Sequence, residues 1–444
     1  MKIEKKCRWA LAGAVSTLLG TQSQAADTGW QAQSGVRYYS EDGRVTSVEP
    51  VLQLKNTDDH DRTISINISY DSLSGASPNG AAVSDQIQTF TSTSGSATTS
   101  NGNSVQTTTA SSGRSISARD DDNDDDDDEN YNGEENEEGG TVSQYQVNPG
   151  EVPLDPSFSD QRFAFSMNIS QPVSRTLESS FGISYSQETD YQSVGMNGGA
   201  TFLLNQKNTQ LGLYFGLEKD EITPGGGTPL GLSSTLEEKT VGDSEDKLVL
   251  DMLISFTQNL SPNAIVQANY SISQSSGYHS DPYKIISIID ADNLPVDYVY
   301  ENRPDQRAKQ SLYAAFKYHM FGDTFEASYR YMWDDWDVTS QTWESKYRLN
   351  LGRFYIQPHY RLYRQSATNF YVDSLNATDS APDYASSDYR LGELTTETVG
   401  AKVSWQFSQD QALSFRLERY HQTGESDAAE MNATISQVSY KWRF

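Results

Sequence analysis

Apolar and polar side chains alternate along most of this chain. The pattern is clearest in Leu248, Leu250, Met252, Ile254 and Phe256, in Phe325, Ala327, Tyr329, Tyr331 and Trp333, and in Val399, Ala401, Val403, Trp405 and Phe407. It ends the chain as Val438, Tyr440, Trp442 and Phe444, with Gln437, Ser439, Lys441 and Arg443 between them. A period of two places the two sets on opposite faces of a strand. A central strand of a soluble sheet would be apolar on both faces, and these are not. The alternation predicts strands at 30–40, 44–56, 62–73, 161–172, 175–188, 190–204, 208–219, 245–260, 263–275, 305–321, 323–336, 339–351, 353–365, 391–407, 410–421 and 432–444. That makes about sixteen, an even number, as bacterial single-chain transmembrane barrels have.

The connectors test this independently. Every second one is short: Asn56–Asp61, Gln171–Arg175, Asn205–Asn208, Ser261–Asn263, Phe321–Asp323, Leu351–Arg353 and Ser408–Asp410. The others include 74–160, 220–244, 276–304, 366–390 and 422–431. Short periplasmic turns alternating with long extracellular loops are the asymmetry of an outer-membrane barrel. The expected fold is therefore all-β, a transmembrane antiparallel barrel with both termini periplasmic. Tyr440, Trp442 and Phe444 are expected to face lipid, to anchor the last strand at the interface and to carry its assembly signal. That strand should close the barrel near Val36 and Tyr38. A soluble sandwich or propeller would leave the aromatic terminus and the loop asymmetry unexplained.

Residues 1–25 have the form of a secretory signal, with cleavage after 25 or 26. Lys2, Lys5, Lys6 and Arg8 precede the apolar stretch Trp9–Leu19, and Ser23-Gln24-Ala25 gives a small-x-small site. The single cysteine, Cys7, lies inside it, so residues 27–444 carry no thiol chemistry and no disulfide. No apolar run approaches the ~18 residues that a membrane helix requires. The mean hydropathy of −0.66 suits a water-soluble chain, but barrels have polar lumens and loops and defeat that criterion.

Net charge is −28, and thirteen acids crowd into 120–138 alone. Such an exterior disfavours nucleic acid as a partner. Residues 84–145 contain this acidic run and a Ser/Thr/Gly tract, a composition predicted to stay disordered outside the cell. In the loop 276–304, Lys284–Ile289 and Val296–Tyr300 are expected to pair as a hairpin.

Several stretches resemble a family of proteobacterial outer-membrane barrels defined as a domain of unknown function (3570). They are SVEPVLQLK (47–55), YDSLSGASPNGA (70–81), PGEVPLDPSFSDQRFAFS (149–166), YENRPDQRAKQSLYAAF (300–316), YRYMWDDWDVTSQT (329–342) and IQPHYRLYRQSATNFY (356–371). The resemblance implies the barrel fold and an outer-membrane location, and through the genes accompanying its members it suggests envelope redox chemistry. It implies no activity and no site residues.

Strand parity turns a set of charges inward: Lys317, Arg330, Glu344, Lys346, Arg348, His359, Arg361, Arg416 and Glu418. They are candidate pore-lining residues, selecting solutes by charge and size. A water-filled or plugged barrel also lines itself with paired charges, so the set alone does not decide between a channel and a closed barrel. Basic residues outnumber acids there, which points towards anions. Asp290, Asp292, Asn293 and Asp297 have oxygen ligands of the type that suits calcium, without the spacing of a calcium loop. In 333–337, the tryptophans are expected at the outer girdle and the acids in a solvated turn. The histidines His60, His279, His319, His359 and His421 carry no catalytic motif. The expectation is a non-enzymatic, cofactor-free, porin-like channel for small solutes. The alternative is a barrel that docks periplasmic redox or export proteins. Either would have lipid, lipopolysaccharide and the barrel-assembly machinery as partners.

Overall fold

The computed structural model describes residues 28–92, 143–237 and 239–444. The leader 1–25, its cleavage site and the acidic run 120–138 lie outside these residues. In chain order the strands are β1 Gly29–Glu41, β2 Thr46–Thr57, β3 Thr63–Pro78, β4 Gln88–Ser92, β5 Ser143–Val147, β6 Leu154–Ser174, β7 Leu177–Gln187 and β8 Tyr191–Leu204. There follow β9 Thr209–Ile222, β10 Thr228–Pro229, β11 Thr240–Gly242, β12 Glu245–Ser261, β13 Ala264–Gly277, β14 Ile285–Ile289, β15 Pro295–Tyr300 and β16 Gln306–Met320. The chain ends with β17 Asp323–Asp334, β18 Thr339–Leu351, β19 Phe354–Gln365, β20 Ser374–Asn376, β21 Leu394–Gln406, β22 Gln411–Gly424 and β23 Met431–Arg443.

Sixteen of these close into one antiparallel barrel: β1, β2, β3, β6, β7, β8, β9, β12, β13, β16, β17, β18, β19, β21, β22 and β23. β23 closes on β1 with Val36 opposite Val438 and Ala32 opposite Trp442. Trp30 and Phe444 exchange both backbone hydrogen bonds, each at 3.0 Å. Closure satisfies every ladder of the sheet, which the apolar interior of a bilayer demands. The expected transmembrane barrel is the fold observed.

Exposed large apolar residues lie on the outward face, among them Val36, Val194, Phe215, Leu250, Phe316, Val399 and Phe415. Towards the end that carries the termini, an aromatic chain runs Phe354, Trp405, Phe407, Tyr440 and Trp442, with successive ring centroids 5.3–6.2 Å apart. Nearer the opposite end, Tyr331 stacks on Trp333 at 5.6 Å. Interfacial aromatics of this kind flank the apolar band of membrane barrels.

Turns at the terminal end are tight. Asn205, Gln206 and Lys207 all have positive φ (49°, 57° and 69°), and Phe321-Gly322 turns with φ 50° and 89°. At the other end, β3 and β6 run on together, pairing as far as Pro78 with Leu154 past an irregularity at Gly75. Gly75 has φ 133°, and a Cβ there would sit 2.3 Å from the Arg44 carbonyl oxygen. Strand β6 therefore begins at Leu154, seven residues before the alternation predicts, because Pro149–Pro156 breaks the sequence pattern without breaking the pairing.

The expected boundaries of the disordered loop, 84–145, need correction at both edges. Gln88–Ser92 and Ser143–Val147 pair as a hairpin. Phe90, Tyr145 and Val147 supply apolar side chains that bury with Ala81 against Ile285 and Tyr298. Residues 93–142 lie outside the described residues.

Candidate functional site

Sixteen up-and-down strands leave eight connections at the end opposite the termini. All eight meet in one lid. Its centre is a three-stranded sheet of β15, β14 and β20, with β14 and β20 parallel. The expected hairpin is there, as Ile285–Ile289 with Pro295–Tyr300. Ile286 of β14, Val299 of β15 and Ala385 form its buried core, with Leu232, Val372 and Leu375 packed around them. The β3–β6 connection joins through Ile285 N–H to the Asn79 carbonyl at 3.0 Å, and the β9–β12 connection through Leu232 N–H to Tyr300 at 2.9 Å. The β7–β8 turn supplies Asp190 as acceptor for the Tyr283 hydroxyl. Arg44 of the β1–β2 turn donates to Ala428 at 2.6 Å, and Ala429 packs on Tyr389.

The β17–β18 turn enters through Trp336, and here the sequence expectation is wrong. Trp333 is outward, but Trp336 is buried at 3% exposure. Its ring stands edge-on to Phe370 at 5.1 Å, under the Arg307 guanidinium at 4.2 Å, and its Nε1–H donates to Gln306 O at 2.8 Å. Asp334 is no solvated turn acid either. It holds Arg307 at 2.5 Å and accepts from the backbone N–H of Trp336 and Val338. Trp336 turns inwards because the neighbouring loop brings Phe370 over it, whereas Asp334 continues the inward row of β17.

The lid is locked by buried charge. Arg303 lies 2.7 Å from Glu301 and 2.8 Å from Asp388, with all three side chains almost wholly buried. Arg390 joins Asp388 to Asp281, the latter at 2.9 Å. Burial pushes the Glu301 carboxyl up to about 7 against the pull of Arg303. It also raises Asp388 and lowers Arg390 to about 10. Beside the network, His279 is held neutral: burial lowers it to about 4. Its Nδ1 lies 2.7 Å from the Gly277 carbonyl oxygen and its Nε2 2.7 Å from Ser275 Oγ.

Below the lid, ion pairs tie neighbouring strands at the lumen face. Arg162 meets Asp71 at 3.2 Å, its register partner, and Lys247 meets Asp220 at 2.8 Å, again directly opposite. Neither pair was expected from sequence.

Lower in the lumen the two walls differ. From β3 to β8 most inward residues are small and neutral, as Asn67, Ser166, Gly182 and Asn197, with Glu178 the charged exception near the terminal end. Asn67 donates to Ser166 at 3.2 Å, and a Cβ on Gly182 would strike Asn168 Oδ1 at 2.0 Å. From β16 round to β23 the wall is charged, and the nine sequence-selected residues all lie on it by register. Five form one network. His359 presents Nε2 to Glu344 at 3.0 Å and Nδ1 to Glu418 at 2.8 Å, Lys346 bonds Glu344, and Arg416 stands 3.9 Å from Glu418. Gly400 lies between His359 and Glu418 in the ladder. Its missing side chain lets the imidazole reach across a whole strand. Lys317 pairs with Glu326 at 3.4 Å, Arg330 lies over Tyr313 at 5.5 Å, Arg348 over Tyr355 at 4.0 Å, and Arg361 faces Glu344 across the ladder.

The four oxygen-bearing residues selected for calcium are not assembled into a site. Asp290 caps its own turn, accepting from the N–H of Asp292 and Leu294, while Asp297 accepts from Ser234 Oγ at 2.9 Å. Among the described residues, the acids that do gather are Asp160, Glu188 and Asp190, with ligand atoms within 4.8 Å of one another at the lid end.

Solved structures similar to this chain are outer-membrane proteins. CdiB from Acinetobacter baumannii matches with a TM-score of 0.45 and 7% identity over 94% of this chain, which spans 60% of CdiB. OccK2 (OpdF) of Pseudomonas aeruginosa matches with a TM-score of 0.39 and 8% identity, over 94% of this chain and 98% of that one. The Pseudomonas putida toluene transporter TodX gives 0.38 and 11%, over 95% and 90%. No curated protein matches the chain in sequence. The sequence itself matches one family model over residues 9–441, and the chain thus belongs to the family described as "Protein of unknown function (DUF3570)".

Proposed function

We propose that this protein is a gated channel for small solutes in the outer membrane of a Gram-negative bacterium, with its termini in the periplasm and its lid outside. One observation carries the reading: all eight outer connections converge on a single lid above a lumen walled by charged, hydroxyl and amide side chains. A lumen of that chemistry holds water, and its charges act on solutes that enter. Passage through it requires the lid to move. The test is liposome swelling with small sugars and amino acids, comparing wild type with a variant whose lid network is broken. Faster swelling in the variant supports a gated channel, and equal impermeability of both rejects it.

A second reading has its own support. The buried Arg303 network holds the lid shut by several charge-assisted bonds, which suits a barrel that stays closed and docks periplasmic proteins. Co-purification of a stoichiometric envelope protein with an impermeable barrel would favour it.

A further inference from the structure

We infer that the terminal end of the lumen contains a binding site for small doubly charged oxyanions, built by Arg348, Lys402 and Lys441 around Tyr355, with Lys55 beside Lys441. It deepens the channel reading by naming the solute class, and it rests on that reading only for access to the lumen. Arg348 and Lys402 flank the same ring, at 4.0 and 5.8 Å from its centroid. The Tyr355 hydroxyl bonds to Lys402 and Ser404. Lys441 lies within electrostatic range of Lys402, Lys55 and that ring.

All four cations stand near the terminal ends of their strands, at inward register positions. Arg348 and Lys55 are exposed, and the other two half-exposed, so water reaches all of them. None pairs with a carboxylate among the described residues. The nearby acids are already engaged, Glu326 by Lys317 and Glu418 by His359. In a chain of net charge −28, four cations left without counter-charge form a local positive field. Converging ammonium and guanidinium donors with one phenol suit phosphate or a short dicarboxylate better than a singly charged ion, because the attraction scales with ligand charge.

The test titrates inorganic phosphate into the folded full-length mature barrel in detergent at low ionic strength, followed by calorimetry, with acetate as the monovalent control. Phosphate should bind at least tenfold more tightly than acetate, and its affinity should fall as salt rises. K402Q/K441Q should lose phosphate affinity at least tenfold. K402R/K441R, which keeps the charge, should retain it, and so guards against a merely misfolded variant. Phosphate no tighter than acetate, or equal affinity in K402Q/K441Q, overturns the site. Bilayer recordings separate the two claims: binding without conductance rejects the channel and leaves the site. Conductance without phosphate binding does the reverse.

Discussion

Arg303→Met removes the cation at the centre of the lid. In the wild-type chain Arg303 satisfies Glu301 and Asp388, whose side chains are 0% and 1% exposed. Taking one partner from a buried ion pair costs about 3–5 kcal/mol, because the remaining charge is stranded in low dielectric. Asp388 keeps Arg390, so the cost falls mainly on Glu301. At roughly 1.4 kcal/mol per decade, lid opening should rise about a hundredfold or more. Amide hydrogen exchange at pH 8 should quicken by that factor in 278–305 and 366–393, and stay unchanged in the barrel strands. Glu301 titrates near 7, so at pH 5.5 it is protonated and needs no partner. The defect should therefore shrink in acid. Adding Glu301→Gln should recover part of the loss at pH 8. Unaltered exchange in both lid segments, or equal acceleration in lid and barrel, would refute this account of how the lid is held.

The same lid carries two opposed pH responses. His279 is lowered to about 4, so its contribution weakens as pH falls below 6.5, whereas raised Glu301 makes the lid less stable as pH climbs from 4.5 to 7. The wild-type lid should have nearly level exchange protection over pH 5–6.5, and His279→Asn should expose a steady loss of protection with rising pH. In the barrel, Gly400→Ala puts a Cβ 2.6 Å from Glu418 Cα, an overpacking worth about 1–3 kcal/mol. It should lower the temperature at which the folded band converts on gels. Deleting Phe444 removes both closing bonds to Trp30 and should cut outer-membrane levels severalfold, as immunoblots of membrane fractions would read. Phe90→Ala, confined to the lid, should not. Deleting 120–138 should leave the folded band intact, since that composition buries nothing.

The barrel was legible because its strands obey a period of two and its turns alternate in length. Both signals are local. Parity alone put Glu344, His359 and Glu418 on one face, but not that His359 would span Gly400 to reach Glu418. That contact depends on three strands in register. The lid was legible only as the hairpin 285–300. Its network joins Asp281, Glu301 and Asp388 from two connections, with Glu301 and Asp388 lying on opposite sides of the strands β16 to β19, and no spacing rule links them. Trp336 misled for the same reason. An aromatic at a strand end reads as a girdle residue until Phe370 and Arg307 are seen to cover it. Of the calcium-type residues, Asp290 accepts from backbone N–H groups of its own turn and Asp297 from Ser234, engagements that spacing alone does not reveal.

The most direct test of a water-lined lumen closed by a lid is single-channel recording in planar bilayers, wild type against Arg303→Met. The wild-type barrel should stay mostly closed, with brief openings. The variant should open for long periods to a large, steady conductance set by the same lumen. Equal conductance in the two, whether both open or both silent, would contradict the lid as the gate.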